Sequence, residues 1–196
     1  MSFCTDLTAN LAPTCAAIKK SGGIDKRMWL GKLSDVTAFT AGTGNQITAI
    51  TFASMKGLIT MTGKMEKNSF TAAGNVGENY TLRTHSVNFV AYYLTPADLA
   101  AIDDLIDQEQ VFICYETNSG VIEMAGVNLS DNYDNFGLNV SAIDGGSGVA
   151  KLDASQLALT FTGDQENLQL VFNDTAAGAP GLAADIAYLD ALITGV

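Results

Sequence analysis

From Val87 to Tyr93, and again from Leu157 to Phe161, apolar side chains return at every second position: Val87, Phe89, Ala91 and Tyr93, then Leu157, Leu159 and Phe161. A period of two suits an extended strand with one buried face, and a helix would scatter the same residues around its axis. Shorter stretches of similar character cover residues 27–33, 36–40, 46–52, 58–65, 111–115, 121–125, 137–143 and 168–172. Between them stand turn sequences such as Ala41-Gly42-Thr43-Gly44-Asn45, Glu116-Thr117-Asn118-Ser119-Gly120 and Asp144-Gly145-Gly146-Ser147-Gly148. Glycine and asparagine accept the left-handed backbone that tight connections between strands require. The expected class is mainly β with minor α: an antiparallel β-sandwich or partial barrel.

Two segments break the period. Thr95-Pro96-Ala97-Asp98 reads as an N-cap, proline at the first helical position and an early acid, a helix start. Leu99, Ile102, Leu105 and Ile106 follow at helical spacing, with Asp103, Asp104 and Asp107 on the wet side. At the far end Leu182, Ile186, Leu189 and Ile193 share one helical face. The breaker-rich stretch at residues 173–180 leaves open whether that helix docks on its own subunit or on a neighbour. The chain therefore divides into an N-terminal arm (1–24), a β-rich domain (25–172) and a linker with a C-terminal helix (173–196). Within the domain, residues 66–79 are polar and glycine-bearing, and bury little by themselves. They are expected to form a mobile loop, or an arm ordered against another subunit.

The search for chemistry finds little. His85 is the one histidine, and a lone histidine within a strand is read as structural. No Gly-x-Ser-x-Gly elbow or Walker loop is present. One histidine with the scattered Cys4, Cys15 and Cys114 gives no standard zinc ligand set. Cys114 sits in the apolar run Val111-Phe112-Ile113-Cys114-Tyr115 and is expected in the core, while a bridge between Cys4 and Cys15 stays open. Asp131 and Asp134 with Asn132 and Asn135 could ligate calcium, but the spacing fits turn-closing side chains better. A non-enzymatic chain without cofactor or metal is expected.

Of the 196 residues, 21 are acidic and only 10 are lysine or arginine, a formal net charge of −11. Tight nucleic-acid binding needs clustered cations to displace phosphate counterions, so that class is disfavoured. Charged residues total 16% and apolar ones 47%. So few charges leave little to cover a large free surface, which hints at faces covered by neighbouring copies. No basic and apolar leader opens the chain, and no run of 18 apolar residues occurs; synthesis and assembly in a cytosol are expected.

The order of elements carries a resemblance. A strand-rich first half holds the polar arm, followed by a long strand, a short helix, the hairpin ending Met124-Ala125-Gly126, and a last strand pair ending Leu159 to Gly163. Cys4 and Cys15 lead into Gly22-Gly23 and a short strand, with the Asn118-Ser119-Gly120 turn, Gly137-Leu138 and Ser147-Gly148 further on. This resembles the tail-tube proteins of tailed bacteriophages, and more closely small structural proteins of phages infecting Bacteroidetes. The resemblance covers roughly residues 4–172. It implies a virion protein that closes into hexameric rings, stacks them into a tube, and passes DNA through a negative lumen without tight binding. Homo-oligomeric contacts and contacts with other tail or head proteins follow from it. The arm, with Glu66, Lys67, Asn68, Ser69, Phe70, Gly74, Gly77 and Asn79, would reach the adjacent ring. A head-associated or capsid-decorating protein shares the profile. So does a carbohydrate-binding β-sandwich, for which Tyr92, Tyr93, Tyr115 and Tyr133 would supply aromatics, although core or interface packing explains them better.

Overall fold

The computed structural model describes residues 23–63, 67–76, 81–92, 100, 102–103, 110–129, 137–146, 156–167, 169–173 and 181–193. Residues 1–22 of the N-terminal arm, most of the helix expected after Pro96, the Asp131–Asp134 turn and residues Glu66, Gly77 and Asn79 lie outside them, while Ile24, placed in the arm, opens the first strand. Of that helix, Ala100, Ile102 and Asp103 are described and are helical.

The strands are β1 (Ile24–Lys32), β2 (Val36–Ala41), β3 (Gln46–Phe52), β4 (Ile59–Thr62), β5 (Ser69–Val76) and β6 (Thr81–Tyr92). Then come β7 (Val111–Thr117), β8 (Ile122–Ala125), β9 (Asn139–Gly146), β10 (Gln156–Gln165) and β11 (Leu170–Phe172). A short 3-10 turn, Leu33–Asp35, joins β1 to β2, and a helix spans Leu182–Ala191. One sheet has seven strands in the order β2-β3-β11-β8-β7-β1-β4, and the other has four, β5-β6-β10-β9. The mainly β, sandwich-like class is therefore as expected, and neither sheet closes into a barrel. One junction departs from the antiparallel rule: β11 runs parallel to β3.

The antiparallel ribbon β1–β7 explains why there are two cores. Its alternate residues point to opposite faces. Met28, Leu30, Ile113 and Tyr115 enter the layer between the sheets, against Val87, Phe89, Leu159 and Phe161. Trp29, Phe112 and Cys114 enter the other side with Ile47, Met124, Phe172 and Leu189. On that second side Gly31 leaves the space that Phe112 fills, since a Cβ there would lie 2.4 Å from the ring.

The two sheets cross. Asn68, just before β5, bridges Ile24 at the start of β1, and Leu138, just before β9, bridges Val111 at the start of β7. Because β1 and β7 are antiparallel, these bridges stand at opposite ends of the ribbon. The width of the four-stranded sheet thus lies along the ribbon's length, as in orthogonal packing. At one corner Gly163 permits the crossing, since a Cβ would lie 2.4 Å from the Gly137 carbonyl.

The seven-stranded sheet curls around the C-terminal helix. Phe39 on β2 meets Phe112 on β7 edge-on, at 5.2 Å between ring centres. In a flat sheet those strands, four places apart, would be separated by about 19 Å. Strand β11 pairs only with Gln46 and Ile47, so the second half of β3 has no strand beside it on that side. There the Tyr188 hydroxyl accepts from the Ile50 N–H at 2.9 Å and donates to the Ile50 carbonyl at 3.1 Å. Beyond the helix, the Leu58 N–H donates to the Leu192 carbonyl at 2.9 Å, and Ile193 bridges Leu58. The Trp29 indole N–H donates to Asp190 at 2.9 Å, and Arg27 joins the same carboxylate at 3.4 Å. The helix left open at the sequence level is seated on its own subunit, with Leu182, Ile186, Leu189 and Ile193 all packed on the second core.

Two expected loops are strands. Most of the stretch at 66–79 is β5, paired along its whole length with β6 from Ser69↔Asn88 to Val76↔Thr81. Its small residues bury little, but they cost no pairing, and β6 supplies the pattern. Asp144, Gly145 and Gly146 continue β9, opposite Ala158, Leu157 and Gln156.

The substitution Tyr188→Phe removes both partners of the Ile50 peptide groups and is expected to cost about 1–3 kcal/mol, read by urea unfolding. Asp190→Ala, which leaves the Trp29 indole N–H without this partner, should destabilise as well. Equal, negligible effects would mean that the helix is not what completes this margin.

Candidate functional site

Reactive side chains are dispersed or sealed. His85 is buried on β6, with Phe70 edge-on at 5.1 Å. Cys114 is buried in the second core, as expected, and burial pushes its thiol pKa upward, so it stays protonated near neutrality. Among the described residues no three of His, Cys, Asp and Glu gather where a metal could be held.

One polar corner lies at the β5 end of the sandwich. Phe70 stacks on Tyr115 at 5.3 Å between ring centres. Tyr115 stands opposite Glu123 in the β7–β8 ladder, so both side chains leave the sheet on the same face. The Tyr115 hydroxyl is buried without a well-formed hydrogen bond. Burial raises its pKa first, and the neighbouring Glu123 raises it further. Burial also raises the Glu123 carboxyl, against smaller opposing contributions from Tyr115 and Gln169. With Tyr115 sunk in the core, the aromatic cluster considered for carbohydrate loses one member; Tyr93 and Tyr133 lie outside the described residues.

A polar surface lies on the outward face of the four-stranded sheet. Its registers Thr71↔Ser86↔Thr162 and Ser69↔Asn88↔Thr160 fix which residues share it, and Ala73, Thr84, Ala142 and Ala158 join them. The charged members are Asp144 and Asp164; no lysine or arginine points outward here among the described residues. Thr84 donates to Asp164 at 2.7 Å, and an open groove of about 460 Å³ beside this pair is lined by Leu82, Gln110, Gly137, Asn139, Thr162 and Gly163. Small hydroxyl and methyl side chains make up most of this face, while Val90, placed on it opposite Ala158, is only 8% exposed.

The residues singled out for an inter-ring arm are split by the fold. Asn68 is buried, and its side-chain oxygen accepts the Val90 N–H at 2.9 Å, so it anchors the hairpin. Phe70 faces the core, while Lys67, Ser69 and Gly74 are exposed. The hairpin continues past β10: Leu82 and Thr81 pair with Asn75 and Val76 but have no β10 partner.

Sequence reasoning missed a feature of β9. The register shifts at Ser141, so Phe161 stands opposite Val140 and Leu159 opposite Ile143. Such a bulge puts two residues opposite one. Val140 and Ile143, three apart, thereby point to the same, core-side face. The available signal was that spacing, which breaks strict alternation.

Comparison with protein-family models, with curated proteins and with solved structures found no match for the chain.

A carboxyl whose folded pKa is raised favours the folded state while protonated and opposes it once ionised. Stability from Glu123 should therefore be greatest below its unfolded pKa and fall as pH rises through its folded one. In Glu123→Gln, melting temperature should vary less with pH between 4 and 8 than in the wild type, with the wild type losing relative stability toward pH 8. An unchanged pH profile would place Glu123 in free solvent.

Proposed function

We propose that the chain is a structural, non-catalytic virion protein: a tail-tube subunit of a tailed bacteriophage that assembles into stacked hexameric rings around a DNA-conducting lumen. In this reading it is made in the bacterial host cytoplasm and ends in the virion, touching copies of itself and other tail or head proteins. The observation that carries the reading is the four-stranded sheet. One face is committed to the core, the other is hydroxyl-bearing with Asp144 and Asp164 as its charges, and both edge strands lack a further partner among the described residues.

A wall for moving DNA has to avoid holding it. Duplex binding is driven by lysine and arginine displacing phosphate counterions, and this face offers none among the described residues. Its two carboxylates and the net charge of −11 repel phosphate instead. Open sheet margins are an aggregation hazard in a monomer and are removed by closure. A ring of identical copies supplies that closure.

Purified protein viewed by negative-stain microscopy over rising concentration should form rings or tubes with an open centre. It should also fail to retard duplex DNA at low salt. A species that stays monomeric at every concentration, solid assemblies without a lumen, or tight DNA retention would each sink the reading.

A further inference from the structure

We infer that β9 of one copy pairs antiparallel with β5 of the next, with Ile143 as the apolar anchor of the junction. The inference rests on the assembly reading above and deepens it by naming the two edges.

Strand polarity comes first. In the order β5-β6-β10-β9 every neighbouring pair is antiparallel. With an even number of strands, the two edges run in opposite directions. When identical copies repeat around a rotation axis, the β9 edge of one meets the β5 edge of the next in antiparallel sense. An odd number would force a parallel junction. The pairing is heterologous, so copies add head to tail, into a ring where the rotation closes, and not as an isologous dimer.

Edge chemistry comes second. Natural edges are commonly blunted by lysine or proline. Ser69–Val76 and Asn139–Gly146 contain neither, and their only charge is Asp144. Both edges begin where the chain leaves the seven-stranded sheet, at the Asn68 and Leu138 bridges.

Side-chain placement comes third. The bulge at Ser141, whose hydroxyl donates to the Thr160 carbonyl at 3.1 Å, turns Ile143 onto the core-side face opposite Leu159. Leu159 is 1% exposed there, yet Ile143 is 47% exposed. The bulge thus brings a large apolar group to the core side, where its own subunit leaves it uncovered. On an adjoining β5, the core-side positions are Phe70, Ala72 and Gly74.

The test uses the full chain with Cys4 and Cys15 replaced by serine and the buried Cys114 retained. One population carries I143C and a second carries A72C or G74C; position 74 has room, the nearest atom to an added Cβ being 3.8 Å away. Under oxidation, mixed dimers should form with A72C or G74C and not with T71C or A73C, which point to the other face. Separately, I143D should weaken self-association by about tenfold or more by sedimentation, with an unchanged thermal melt. Rings that form normally with I143D, or that give no link to either core-side cysteine, would overturn the junction while leaving assembly intact. A wild-type chain that never associates would remove the assembly reading and the junction with it.

Discussion

The ribbon of β1 and β7 is the constraint on which the remaining architecture depends. Each of its strands sends side chains into two separate apolar layers, so neither face can be left to water. Trp29, Phe112 and Cys114 on one side, and Met28, Ile113 and Tyr115 on the other, are essentially inaccessible. Burying a large apolar side chain is worth about 1.5–3 kcal/mol, and a two-faced ribbon collects that gain on both sides. It also obliges the fold to supply two covers. The four-stranded sheet covers one face, and the curled remainder of the seven-stranded sheet with its helix covers the other.

The covers are finished differently. On the helix side, the loose half of β3 is satisfied by a single tyrosine hydroxyl, and the helix end bridges to Leu58. A buried peptide group left unpaired is costly, and those contacts remove the cost within one subunit. The four-stranded sheet receives no such finish along β5 and β9 among the described residues. Among the described residues, the chain therefore closes one sheet margin with its C-terminal helix and sets no strand against the outer sides of β5 and β9.

Much of this was legible in the sequence, for physical reasons that also mark where legibility ended. Leu157, Leu159 and Phe161 alternate because β10 has one dry face, so the pattern survives in one dimension. The hairpin of β7 and β8 was readable from Asn118-Ser119-Gly120, where Gly120 takes the positive φ that the turn needs. Strand β5 was not. Thr71-Ala72-Ala73-Gly74 has no preference of its own, and its state is set by the register with β6, a tertiary effect. The parallel contact of β11 with β3 joins segments over a hundred residues apart, and no local signal encodes it. Tyr188 gave no hint of its role, since a tyrosine in an amphipathic helix looks like ordinary packing until Ile50 is placed beside it. The outward face became visible only after register was known, because hydroxyl residues spread over four strands do not look like a patch in sequence.

Charge limits how such a subunit can associate. With 21 acids against 10 cations, identical copies repel one another at long range, and the repulsion is screened over about 8 Å at physiological ionic strength. Under the proposed assembly, attraction between copies would have to be short-ranged: backbone hydrogen bonds along an open edge and apolar contact at its rim. Both act only when strands are in register, so the geometry of the edge, and not a general stickiness, would decide which surfaces meet. A strand that carries one carboxylate among small residues, with its bulky apolar group turned inward by a bulge, is suited to that regime.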